Sequence, residues 1–310
     1  MVSFLLRNNP YGILTIFLIG LGAWLMPTAN HLESYTFFNI AIPYYTSLTI
    51  GFIINLIAAA FFNQSLSRYF FVNENATGFV FFHLLISSLA CHSPDMINFS
   101  FLILSLSLFM SMVMNMKEYG NEVTNVFNSA FFLGILCLVN IIFLPFIYLI
   151  IAGISALRRV NARDLLIILF GLATPLYVVL ALSYMSENYS FFNSYLDTQP
   201  STSSFNTVLL IALFVVFSVS LTGVVLFKQN RIAFGAKIIK AYNILVFLYV
   251  ISIILTVAGF FLRDFSGILA WGAFANAVFI ASLFLKIDFR YKDLALVLFI
   301  AFIFGVKYFL

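Results

Sequence analysis

Runs of sixteen or more apolar residues recur along this whole chain, and they limit its possible folds more than any motif does. A span of about 17–25 apolar residues is what a helix needs to cross the hydrocarbon core of a bilayer. Such segments fall near 11–27, 45–63, 77–91, 97–115, 165–185, 206–227, 241–262, 267–285 and 294–309. Composition agrees, because only 8% of the 310 residues are charged. A water-soluble domain carries about 25%, and so few charges cannot coat a surface of this size. The 40 phenylalanines belong to the same pattern. Phenylalanine is at home against acyl chains and packs well between helices, so its abundance reports the solvent and not a cofactor.

The stretch 126–157, "VFNSAFFLGILCLVNIIFLPFIYLIIAGISAL", is too long for one simple helix. Asn140 and Pro145 stand at its middle. Proline removes a backbone donor and breaks a helix. Two short helices, 126–141 and 144–157, are therefore predicted. The expected fold is all-α: a polytopic transmembrane helix bundle of about eleven spans, including this proline-broken pair. One transmembrane domain covers 1–310, with an interfacial segment over 1–10 and the longest outer loop at 186–205. Cys91 and Cys137 both lie at or inside apolar segments and read as small buried hydrophobes, not as a disulfide framework.

The loops give orientation. Basic residues accumulate on the cytoplasmic side. With the N-terminus inside and strict alternation, the inner segments hold Arg7, Arg68, Lys117, Arg158, Arg159, Arg163, Lys228, Arg231, Lys237, Lys240, Lys286, Arg290 and Lys292. Only Arg263 and Lys307 remain outside. Counting 126–157 as one helix would put the basic loops that follow it outside, so the asymmetry supports the broken pair. The acidic residues divide more evenly: Glu33, Asp95, Glu187, Asp197 and Asp264 lie outside, and six lie inside. The expected site is the bacterial inner membrane, N-terminus inside and C-terminus outside. The inner basic loops suit anionic headgroups. They call for no nucleic acid, since they are spread over every inner loop and not gathered on one groove.

No P-loop, GxGxxG, HExxH, CxxC or GxSxG motif is present. The candidate chemistry is an outer cluster. Glu33 and His31 belong to the first outer loop, Pro27 to Pro43; His92 and Asp95 to "CHSPDM"; Arg263 and Asp264 to one dipeptide. Converging helix ends would let these carboxylates and imidazoles serve as a general base or hold a divalent cation. Arg263 would then grip a phosphate. The plainer reading is that membrane loops need polar residues anyway, with Arg263 and Asp264 a local ion pair. His83 falls inside the third span, where an ionisable group is a functional candidate by default. The plainer alternative is a neutral imidazole bonded to a neighbouring helix. Asn55 and Asn276 read as helix–helix glue. The inner hairpin "ALRRVNARD" reads as a topological anchor, or as a docking point for a protein partner or lipid phosphate through Arg158, Arg159 and Arg163. In the long outer loop, Tyr189 to Leu196 suit an interfacial segment that gates lateral lipid access.

The segment Asn125 to Val179 carries a resemblance. Its "FN-A-F-GI" opening, its break near the proline, its basic hairpin and "FGLATP" resemble uncharacterised polytopic inner-membrane proteins of the Bacteroidetes that share a domain of unknown function. Some members carry a carotene-oxygenase label, but three histidines are too few for the iron site that such an enzyme needs. More loosely, the architecture is similar to GT-C glycosyltransferases and polysaccharide polymerases. That likeness implies a lipid-linked phosphate substrate processed at the outer face, with Glu33 at the position of the catalytic acid. The first outer loop is short for that family and holds no paired acids. Two other functions fit the same residues: a non-catalytic subunit or scaffold of an envelope assembly, and a transporter or flippase. The latter requires polar residues around a midplane cavity. The sequence specifies no cofactor and leaves any metal unknown.

Overall fold

The computed structural model describes residues 10–26, 34–37, 40–67, 77–89, 96–116, 122–139, 141–186, 207–229, 236–262, 265–286 and 291–309. The described residues form an all-α bundle with one short β-hairpin. In chain order the helices are α1 (Pro10–Leu25), α2 (Tyr44–Ser67), α3 (Thr77–Ser87), α4 (Met96–Met114), α5 (Glu122–Val139), α6 (Ile147–Ser155), α7 (Ala162–Met185), α8 (Thr207–Gln229), α9 (Ala236–Leu262), α10 (Phe265–Lys286) and α11 (Lys292–Phe309). Every apolar segment read from the sequence coincides with one of them. The hairpin pairs β1 (Ser34–Phe37) with β2 (Ile40–Pro43), Ser34 opposite Pro43 and Phe37 opposite Ile40. It occupies part of the predicted first loop and packs on α2, and through β1 on α4.

The predicted break is present. Helix α5 stops at Val139, a 3-10 helix runs over Ile141–Phe146 with Pro145 inside it, and α6 begins at Ile147. Proline cannot donate to the preceding turn, so the chain tightens and turns there.

Side-chain contacts fix the relative direction of neighbouring helices. Asn55 meets Ser100 and Ser65 meets Ser111, so α2 and α4 run parallel. Phe62 meets Phe79, while Leu84 joins Leu48 and Phe52 in one buried cluster, so α3 runs antiparallel to α2. Gly171 abuts Phe127 and Ala130, and Gly134 abuts Leu172 and Pro175, so α5 and α7 run parallel. A parallel pair needs one returning pass between its members, and only the 3-10 helix with α6 lies between these two. Ser220 meets Asn276 and Gly223 meets Phe279, which makes α8 and α10 parallel. Tyr242 meets Val224 and Tyr249 meets Phe217, which makes α9 antiparallel to α8.

These directions define two ends. At one, Lys240 Nζ donates to Met116 O at 2.9 Å and Asn125 Nδ2 to Asn115 O at 3.3 Å. The hairpin after α6, the end of α8, the end of α10 and the start of α11 lie at this end as well. It therefore gathers Arg158, Arg159, Arg163, Lys228, Lys237, Lys240, Lys286 and Lys292. Among the described residues, Lys307 is the one basic residue at the opposite end.

Among the described residues, four helices are long and apolar enough to cross a membrane: Tyr44–Ser67, Ala162–Met185, Thr207–Lys228 and Ile238–Val257. One of the shorter helices is interior. Helix α3 has 11 residues, and all but Thr77 and Val80 are buried. It packs against α1, α2, α10 and α11. An all-round apolar helix belongs in a core. Helix α7 is the reverse case. It packs mainly on α5 and exposes Leu166, Leu169, Phe170, Tyr177 and Leu182.

Candidate functional site

Glu33, His92, Asp95, Arg263 and Asp264 lie outside the described residues, as do His31, Cys91, Glu187, Asp197, the segment 189–196 and residues 1–9 of the N-terminal interfacial segment. Their sequence neighbours are described. Glu33 directly precedes β1, and Asp95 directly precedes α4. Those two elements pack against each other. Arg263 and Asp264 separate α9 from α10.

The end opposite the basic loops holds a polar arrangement that sequence reading missed. Lys307, on the last turn of α11, is 1% exposed. Its ammonium donates to the carbonyls of Ala23 and of Trp24, the latter at 3.1 Å. Both carbonyls belong to the last turn of α1, where no backbone donor remains within the helix. The negative end of the helix dipole and the ammonium attract each other. Trp24 extends the arrangement: its Nε1–H donates to Leu84 O on α3 at 3.0 Å. Gly20 lets α1 approach that helix, because a Cβ there would stand 3.1 Å from Leu84 Cδ1. The C-terminal helix, the first helix and the buried α3 are thus fastened at one point. The available signal was that Lys307 is one of two basic residues on the side that disfavours them.

His83 adjoins this junction on α3 and is fully buried. It does not make the expected bond to a neighbouring helix among the described residues: neither ring nitrogen has a hydrogen-bond partner there. The imidazole instead stacks on Phe79, centroids 5.6 Å apart, and tilts against Phe274 at 4.7 Å. Phe62, Phe82 and Phe284 continue this aromatic filling.

The two intramembrane asparagines do join helices. Asn55 Nδ2 donates to Ser100 Oγ at 2.8 Å and to Gly51 O at 2.9 Å. Ser220 Oγ donates to Asn276 Oδ1. In the basic hairpin, Arg158 grips Asp164 with both guanidinium nitrogens, at 2.7 and 2.8 Å. Asp164 Oδ2 also accepts the Asn161 N–H at 2.9 Å, closing the first turn of α7. Arg158 is therefore built into the hairpin, and the exposed arginines there are Arg159 and Arg163. Among the described residues no group of three or more His, Cys, Asp or Glu could hold a metal ion.

Fold and composition together define the class: a helical-bundle membrane protein. No family model, curated protein or solved structure matches the chain.

Proposed function

We propose that this is a bacterial inner-membrane protein whose work is done at its outer face and not through its centre. The observation that carries this reading is the aromatic filling around His83. Phe62, Phe79, Phe82 and Phe274 are each buried there, so rings fill the space beside this imidazole where a transporter would need polar groups around a cavity. In this reading all eleven helical segments cross, with the short α3 shielded inside the bundle. The N-terminus is inside, because the end that collects the basic residues is the cytoplasmic one.

The finer reading is an enzyme that processes a lipid-linked phosphate substrate, as the GT-C resemblance implies. Glu33 is its base, Arg263 holds phosphate, and His92, Asp95 and Asp264 complete the rim. The packing of β1 on α4 supports it, since these elements directly follow Glu33 and Asp95. The second reading is a non-catalytic subunit of an envelope assembly. Helix α7 favours that one, with its long apolar face and its single main neighbour.

One experiment separates them. A strain lacking the protein is complemented with wild type or with Glu33→Gln at equal membrane abundance, and lipid-linked envelope precursors are measured. The enzyme reading expects precursors to accumulate with Glu33→Gln as in the deletion strain. Full rescue by Glu33→Gln disposes of the enzyme and leaves the subunit.

A further inference from the structure

His83 on α3 and Asn55 on α2 are both fully buried, and each keeps polar atoms without a partner among the described residues. For His83 these are both ring nitrogens. For Asn55 it is Oδ1, since Nδ2 already donates to Gly51 O and to Ser100 Oγ. A backbone carbonyl accepts only from a donor, so the bond to Gly51 O fixes which amide atom is the oxygen.

The helix register brings the two groups together. Leu48, Asn55 and Phe62 follow one another at seven-residue spacing, so they share one stripe of α2. Leu48 joins Leu84 of α3 in one buried cluster, and Phe62 meets Phe79 of α3, so that stripe faces α3. On α3, Phe79 and His83 are four residues apart and share a face. Phe79 meets Phe62 from that face, and both Phe79 and His83 meet Phe274 of α10. Because α2 and α3 are antiparallel, the step from Phe79 to His83 and the step from Phe62 to Asn55 lead toward the same end. At about 1.5 Å of rise per residue, the two steps finish at levels roughly 4.5 Å apart. Leu84, the next residue of α3, shares its cluster with Leu48 and Phe52, which lie beyond Asn55.

Polar atoms at this depth are costly without a hydrogen bond. What can bond them here is small. Phe79 stacks on the imidazole and Phe274 tilts against it, so the ring edge that carries the nitrogens is the part left to bond. One imidazole and one carboxamide oxygen are too few ligands for a metal ion. Water both donates and accepts, and buried waters serve polar groups that have no other partner. With about 2.8 Å to each partner, one water spans an interval of this size.

We propose that a single buried water bridges the His83 imidazole and Asn55 Oδ1. It donates to the carboxamide oxygen and bonds a ring nitrogen. This ties α3 to α2 and, through Asn55 Nδ2 and Ser100 Oγ, to α4. The inference does not depend on the enzyme reading.

The test uses the full chain in lipid vesicles with His31→Gln and His92→Gln, which leaves His83 as the one histidine. Solid-state NMR on isotope-labelled histidine then follows magnetisation passing from water protons to the imidazole. The backbone amide of His83, inside α3, is the internal control. The imidazole is expected to receive magnetisation clearly sooner than this amide. Asn55→Leu keeps most of the volume, removes the oxygen and is expected to abolish that early transfer. An imidazole that receives no more than its own backbone amide overturns the proposal, whether or not Asn55→Leu folds. Early transfer that persists undiminished in a folded Asn55→Leu variant overturns it also.

Discussion

Lys307 shows what one side chain does when it is denied water. An ammonium buried in a bundle is costly unless it is hydrogen-bonded to groups that need it. The last turn of α1 supplies such groups, because its carbonyls have no partner within the helix. Replacing Lys307 by Met keeps most of the volume and removes the donor, leaving the Ala23 and Trp24 carbonyls to find others. The expected loss is about 1–3 kcal/mol, the usual range for orphaning a buried polar group or removing a hydrogen bond to a charged one. A thermal or denaturant midpoint in detergent measures it, and an unchanged midpoint would mean the ammonium contributes nothing net. The sequence identified Lys307 as an outlier but not its acceptors. Those lie 283 and 284 residues away, and no local pattern encodes a pairing at that distance. His83 is a similar case. Its depth in the bundle was legible from the apolar run around it. Its aromatic sandwich was not, because Phe274 is brought there by tertiary packing.

Among the helices, α5 and α7 show how small residues set an interface. A Cβ on Gly171 would fall 2.6 Å from Ala130 Cβ and 2.9 Å from Phe127 O. A Cβ on Gly134 would fall 2.7 Å from Leu172 O. Small side chains let two backbones approach closely, which is how helices gain contact where apolar burial gives no drive. Gly171→Leu is expected to push α7 off α5 and destabilise the protein by about 1–3 kcal/mol or more. Gly22→Leu is the control, since a Cβ there has nothing within 4 Å. Hydrogen exchange along α7 reads the difference: faster exchange is expected with Gly171→Leu and none with Gly22→Leu. Equal behaviour of the two variants would show that close approach does not hold α7. The element boundaries were legible because apolar runs end at charges and turns, and because Pro145 marks its own break. The β-hairpin was not, since Ser34–Phe37 and Ile40–Pro43 are too short for an alternating pattern to stand out from a polar loop.

For the molecule as a whole, the apolar runs were enough to predict an all-α membrane bundle, and the helices follow them segment by segment. The candidate outer site is legible only as residue types near particular helix ends, because Glu33, His92, Asp95, Arg263 and Asp264 carry no spacing that fixes how they meet. Topology sits between these cases, and the proline-broken pair is where it can be tested most sharply. Helix α5 starts beside Asn115 at the basic end and runs parallel to α7. Its far end, with exposed Val139 and Ile141, must then lie at the same end as exposed Ser186, which follows α7. Arg159, between α6 and α7, must lie at the other. With Cys91 and Cys137 replaced, Ile141→Cys and Ser186→Cys are expected to react with a membrane-impermeant maleimide applied outside. Arg159→Cys is expected to react only after the membrane is opened. Were residues 126–157 a single crossing, Ile141→Cys would sit in hydrocarbon and stay unlabelled, and Arg159→Cys would label from outside. That pair of results would reverse the direction of every helix after α5 relative to those before it. It would put Lys228, Lys240 and Lys292 on the outer side, so this one labelling pattern decides between the two topologies and with them whether Glu33, His92 and Asp95 share a face with Arg263 and Asp264.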